Sequence, residues 1–122
     1  MTNKIRKHIL DSAYYAKHGH MPSALSIVEI ICAFDNIKNP NDVLVLSKGH
    51  GCLAYYAYLV EKGTVTLDEL KNFGKKDNRL GGHPDKNKVK EVFVSTGSLG
   101  QGLPMVVGAA LARKITNKKG RF

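Results

Sequence analysis

A chain of 122 residues with 43% hydrophobic and 24% charged residues is sized for one globular domain or part of one, and is too apolar for a disordered chain. Its formal net charge of +9 invites a polyanionic partner, but the basic residues are dispersed ("KK" at 75–76, "KNKVK" at 86–90, "NKKGR" at 117–121) and no recognition helix or aromatic RNA-binding motif accompanies them. This argues for a solvated basic surface over nucleic-acid binding and leaves anionic small molecules open, while no apolar run approaches the ~20 residues of a membrane span.

In chain order, Ile5, Ile9, Leu10, Ala13 and Ala16 fall on one face of a helix over residues 3–17, which Gly19 ends. A second, mostly buried helix, "ALSIVEIICAF", follows Pro22 with Ser23 as its N-cap. "NPND" at 39–42 is a turn. "VLVLS" at 43–47 is short, apolar and β-branched, which predicts a buried strand. "GHGCLAYYAYLVEKG" reads as a loop feeding a helix that ends at Gly63. Thr66 with Glu69 three residues on is a capping box opening a short amphipathic helix. Residues 75–90 are a polar surface loop, and "EVFVS" at 91–95 is a second candidate strand. The glycine turn "STGSLGQGLP" at 95–104 leads into an apolar helix, and Arg121 and Phe122 begin what looks like another strand. The expected class is α/β: helix-rich, with few short parallel strands feeding glycine turns.

"MTNKIRKHIL" carries no uninterrupted apolar segment or cleavage site, so no signal peptide is expected. Cys32 and Cys52, without a CxxC pair, read as reduced, buried thiols of a cytoplasmic protein.

Three motifs set a histidine beside glycine at the border of an apolar element: "KHGHMPS" (17–23), "SKGHG" (47–51) and "GGHPD" (81–85). Histidine can hydrogen-bond an oxyanion or move a proton near neutral pH, and glycine admits a ligand to the backbone. Each alone is commonly an exposed loop residue; together, at element borders, they point towards a site. The turn with Gly97, Gly100 and Gly102 fits neither a dinucleotide fingerprint nor a P-loop. It serves either tight packing or an anion at a helix N-terminus. A zinc site from His20, His50 and His83 has no carboxylate or cysteine at ligand spacing. Cys52 near His50 suits a packed thiol better than a nucleophile.

Taken together, "GH" at 19–20, "VLSKGHG" at 45–51, "GGHPD" at 81–85 and "STGSLGQGL" at 95–103 resemble the N-terminal part of transketolase. The resemblance is strongest to the short N-terminal subunit of two-chain bacterial transketolases, in which serine is usual at the place of Ser98. It covers about Ile5 to Phe122. It implies a thiamine-diphosphate-binding fold and transfer of a two-carbon ketol unit between sugar phosphates in carbohydrate metabolism. Thiamine diphosphate and Mg2+ are the implied cofactors. The implied partners are a C-terminal transketolase subunit, with which the chain would work, and a further copy in a dimeric assembly. By the resemblance, His20 and His83 contact the substrate near the reacting carbon and its first hydroxyl. His50 faces the cofactor's diphosphate, and Gly97, Ser98 and Leu99 form the turn touching the cofactor, with Leu99 near the thiazolium. The family's Gly-Asp-Gly metal motif has no counterpart here, since no Asp-Gly pair occurs in the sequence. The expectation is therefore an N-terminal portion, residues 1–122, stopping before that motif, without Mg2+ ligands and inactive alone. A deoxyxylulose-phosphate synthase type of enzyme and a non-catalytic basic binding module are the alternatives.

Overall fold

The computed structural model describes all 122 residues. Six helices carry the chain: α1 (Thr2–Ala16), α2 (Met21–Leu25), α3 (Val28–Ile37), α4 (Cys52–Glu61), α5 (Leu67–Lys71) and α6 (Gly102–Ile115), with one 3-10 turn at Gly49–Gly51 ahead of α4. None is long and apolar enough to cross a membrane.

The core forms around α4. Every residue from Cys52 to Leu59 is buried, as expected of a helix apolar on all sides. Helix α1 lays Ile5 and Ile9 against it, both fully buried, while Leu10 on the same predicted face is exposed. Ile31 and Val28 of α3 and Leu70 of α5 complete the cover. Burying a side chain of this size contributes about 1.5–3 kcal/mol, so this cluster is the main source of stability. The capping box forms as expected: the Glu69 N–H donates to Thr66 Oγ1 at 3.1 Å and the Thr66 N–H to Glu69 Oε2 at 2.8 Å. Arg79 reaches Glu69 at 2.7 Å and, with the cap, holds its carboxyl down at about 2.

Two expectations need correction. The helix expected from Ser23 is two helices, and its N-cap is His20, whose Nδ1 accepts from the Ser23 N–H at 3.2 Å. Pro22 fits the first turn because that turn needs no N–H from it. The break comes at Ser26–Ile27. There the Ser26 hydroxyl donates back to the Ser23 carbonyl at 3.0 Å, a local bond that competes with helix propagation.

The parallel strands are absent: neither 43–47, 91–95 nor 121–122 forms one, and the chain is helical and loop throughout. A strand exists only in a ladder, and these segments lack one. Val43 N–H donates to the Arg121 carbonyl at 2.9 Å, and the Arg121 N–H goes to the Asp42 carboxylate instead of continuing the pairing. The Glu91 carbonyl is taken by the Tyr55 hydroxyl at 2.9 Å and the Leu46 carbonyl by the Thr96 hydroxyl at 2.6 Å.

Candidate active site

The histidine and glycine motifs meet at one end of α2 and α4. His20 stands at the start of α2 because it caps that helix with its own ring. His50 lies in the 3-10 turn before α4. The two rings meet edge to face, 5.1 Å between centroids and 66° between planes. His20 is exposed and His50 half-buried, so both rings are within reach of a ligand from solvent.

The 3-10 turn is pressed against the glycine turn. A Cβ on Gly49 would lie 2.7 Å from the Thr96 carbonyl oxygen and 3.0 Å from the Gly97 nitrogen, so only glycine allows this approach. Thr96, buried, locks the contact through its bond to Leu46. His83 then lies on Gly97, its ring carbons 3.2 and 3.3 Å from where a Cβ would stand. A continuous run of contacts therefore joins His20, His50, Gly49, Gly97 and His83. Ser98 and Leu99 protrude beyond it into solvent, Leu99 with 67% exposure.

His83 is held from behind by α4. The Tyr56 hydroxyl donates to the His83 carbonyl at 3.0 Å, and the Cys52 thiol donates to the Gly82 carbonyl at 3.2 Å. Burial pushes the Tyr56 hydroxyl well above its ordinary range, so it remains a donor. Burial likewise pushes the Cys52 thiol up to about 12. Cys52 is fully buried and its hydrogen bonds point to carbonyls, so it acts as a packed thiol that braces a loop and not as a nucleophile. Cys32 is also a buried free thiol.

Three supporting residues are not singled out by any sequence pattern. Thr96 sits unremarked inside a glycine turn, and Tyr56 is one apolar residue among many in α4. His18, within "KHGHMPS", stacks on Phe73 at 5.2 Å and lies against the Gly82 backbone, closing the rear of the "GGH" loop. Its place one residue before Gly19 is the only local signal. No group of three or more His, Cys, Asp or Glu side chains is placed to hold a metal ion. Asp85, in the "GGHPD" motif, is engaged with the Asn87 N–H and the Ser95 hydroxyl.

Residues 1–121 match the family model for the transketolase thiamine diphosphate binding domain. One of the subunits of apulose-4-phosphate transketolase from Actinobacillus succinogenes is 37% identical over 124 residues, covering 93% of this chain and 45% of that protein. The transketolase of Pichia stipitis, solved in complex with sedoheptulose 7-phosphate, superposes with a TM-score of 0.84 at 32% identity, over 92% of this chain and 18% of that one. The transketolase of Campylobacter jejuni gives 0.85 at 30% identity, over 94% and 20%. The chain thus spans less than half the length of these relatives. It belongs to the transketolase family, as a member of its thiamine-diphosphate-binding domain.

Proposed function

We propose that this chain is the N-terminal part of a split transketolase, which transfers a two-carbon ketol unit between sugar phosphates once another subunit completes it. The observation that carries this reading is the contact run from His20 through His50, Gly49 and Gly97 to His83. It gathers at one surface the three histidines and the glycine turn that the family pattern assigns to substrate and cofactor. Similarity to a protein that is by name one part of a sugar-phosphate transketolase supports the split form and the substrate class. The free, buried Cys32 and Cys52 suit a reducing, cytoplasmic setting.

The residues present fit thiamine diphosphate. Gly97 lets the His83 ring lie directly on the turn, Leu99 offers an exposed apolar side chain, and His50 a half-buried imidazole on the turn that Gly49 presses against Gly97. In this reading Gly97, Ser98 and Leu99 wall the cofactor and His50 faces its diphosphate. When bound, the cofactor supplies the nucleophilic and electron-accepting carbon that ketol transfer requires. His20 and His83 take the substrate side, donating hydrogen bonds to developing oxyanions or relaying a proton. Leu99 presents an apolar side chain on the cofactor side of the turn. The residues present do not fit Mg2+, since no carboxylate set faces the site. No Asp-Gly pair occurs in the sequence, so these residues offer no counterpart of the family's metal motif. In this reading residues 1–122 are an N-terminal portion of the thiamine-diphosphate-binding domain.

A dimeric assembly completed by a partner subunit fits a second observation. Helix α6 leaves Leu103, Val107, Leu111 and Ile115 more than half exposed, an apolar face of the kind that marks an interaction surface.

The test is reconstitution. The purified chain is assayed for ketol transfer from a ketose phosphate, alone and with a C-terminal transketolase subunit, thiamine diphosphate and Mg2+. Activity is expected only in the complete mixture, with His83→Ala and His50→Ala each lowering kcat/KM by about 10²-fold or more. Turnover by the chain alone would overturn the need for completion. An inactive complete mixture that still assembles would overturn the function.

A further inference from the structure

We propose that Lys48 is a positioning residue for His20, acting as a clamp between helix α2 and the turn that carries His50. The proposal deepens the reading above, because it concerns a histidine assigned there to the substrate.

Helix α2 has five residues, far below the ~12 that hold a helix together unaided, so its placement depends on ties to the rest of the fold. Its ties to the site run through Ser23. The Ser23 N–H donates to His20 Nδ1 at 3.2 Å and thereby fixes the ring. The Ser23 carbonyl accepts from Lys48 Nζ at 2.9 Å, and the same ammonium donates to Ser26 Oγ at 2.8 Å. Ser26 in turn donates to the Ser23 carbonyl at 3.0 Å, so three groups close a small ring of hydrogen bonds on the last turn of α2.

The other end of the clamp is rigid. On one side of Lys48 in the chain, Ser47 lies against Gly102, where a Cβ would sit 2.6 Å from Ser47 Cα. On the other side, Gly49 lies against the Thr96–Gly97 peptide. Lys48 therefore projects from a backbone held by two close approaches and carries that order across to α2. Its stem also lies 3.6 Å from where a Cβ on Gly51 would stand, so it packs along the turn as well as bonding across it. No carboxylate pairs with Lys48; both its acceptors are neutral oxygens at α2. A compact ammonium with rotatable donors suits two acceptors at such different angles, whereas the flat guanidinium fork of arginine matches them less well. The outcome is a closed path: Lys48 to Ser23, Ser23 to His20, His20 edge to face with His50, and His50 back along the turn to Lys48.

The experiment is long-range 1H–15N NMR of the histidine rings in the full chain, which reads the tautomer of His20 without cofactor, partner or turnover. Wild type is expected to show one neutral tautomer at His20, with Nδ1 bare as acceptor and the proton on Nε2. Lys48→Met, which keeps the stem and removes the donors, is expected to lose that signature and give averaged tautomers at His20, while the His8 signals stay in place. Lys48→Arg is expected to restore it in part. A His20 spectrum unchanged in Lys48→Met overturns the proposal. Should Lys48→Met fail to fold, Ser26→Ala is read instead: an intermediate change confined to His20 supports the clamp, and no change overturns it. Equal shifts of all histidines in both variants also overturn it, since Lys48 would then hold the fold and not His20. In the reconstituted enzyme, Lys48→Met should lower kcat by about 10-fold or more through lost orientation, with cofactor affinity little changed. If the wild-type mixture is inactive while the His20 signature still depends on Lys48, the functional reading fails and the clamp stands.

Discussion

Helices α4 and α6 are built from the same kind of sequence and meet opposite fates. Both are apolar on nearly all sides. In α4, Cys52 to Leu59 are all buried; in α6 only Gly102 is, and Ile115 is 72% exposed. The difference lies in what surrounds them. Helix α4 is enclosed by α1, α2, α3 and α5. Helix α6 is fastened at its two ends, through Gly102 on Ser47 and through Arg113, which donates to the Asn41 carbonyl at 2.9 Å. An apolar helix therefore states that it needs cover but not what supplies it. For α4 the supplier is the rest of this chain; for α6 we have proposed another subunit.

The largest effect should come from the covered helix. Leu53 is fully buried in α4, and Leu53→Ala removes its packing and leaves a cavity. We expect a loss of about 2–5 kcal/mol, read by urea unfolding of the chain. A loss under about 1 kcal/mol would mean that the core relaxes around the site and that α4 is less tightly enclosed than its burial implies.

How much of this contrast is legible in the sequence divides along local and distant interactions. The capping box at Thr66 and Glu69 and the end of α4 near Gly63 are legible, because neighbouring residues decide them; the loop at 75–90 is only partly the expected surface loop, since Leu80 and Val89 are fully buried in the core. The strands expected at 43–47 and 91–95 do not form. Val43 to Val45 have the β-branched, apolar character of a strand, yet character is not a ladder, and pairing depends on segments far away in sequence. The cap of α2 also runs against residue type. Ser23 is the better capping residue by preference, and only the geometry shows that the His20 imidazole takes the role. The site itself is legible through the co-occurrence of "SKGHG", "GGHPD" and "STGSLGQGL". No spacing rule sets Gly49 against Gly97 or the Tyr56 hydroxyl on His83, because those contacts join residues 27 or more positions apart.

The next effect falls where the two helices join the same frame. Gly102 is the first residue of α6, so Gly102→Ala gains less than the about 1 kcal/mol of helix propensity it would gain inside the helix. The new Cβ, however, would meet Ser47 Cα at 2.6 Å and Cβ at 2.7 Å, and the first of these is backbone that cannot swing aside. We expect a net loss of about 1–2 kcal/mol from overpacking, with movement of the turn at 47–51 seen in the His50 amide signals. A neutral or stabilising result would show that α6 is not docked at its first turn.

An effect of the same size tests how α4 is braced by charge. Asp35 of α3 accepts from the Tyr58 hydroxyl and from Lys62 Nζ, both at 2.7 Å, with Lys38 at 3.1 Å. Burial opposes its ionisation, but the Lys62, Tyr58 and Lys38 hydrogen bonds prevail and bring its carboxyl to about 2. A carboxyl lowered on folding adds stability that is present above its unfolded value near ~4 and is lost as pH falls towards about 2. Asp35→Asn should therefore cost about 1–2 kcal/mol at neutral pH, and the gap from wild type should close between pH ~5 and ~2. A constant gap across that range would assign the loss to packing.

The smallest effect on stability belongs to α6, and it bears most directly on what covers that helix. Leu111 is 56% exposed, so little apolar area leaves the protein when it is changed. Leu111→Ser should shift the unfolding free energy of the chain alone by no more than about 0.5 kcal/mol, against the several kcal/mol expected at Leu53. If another subunit covers α6, the same change should weaken association in sedimentation experiments by about tenfold or more, because a polar side chain would then be buried in an apolar contact. The two readouts separate the possibilities. A stability loss matching that of Leu53→Ala would mean that α6 is already covered within the chain, and the contrast between the helices would collapse. Unchanged stability with unchanged association would leave α6 bare in the assembly as well. Unchanged stability with weakened association is the result that makes α6 the counterpart of α4, a helix whose burial comes from outside its own chain.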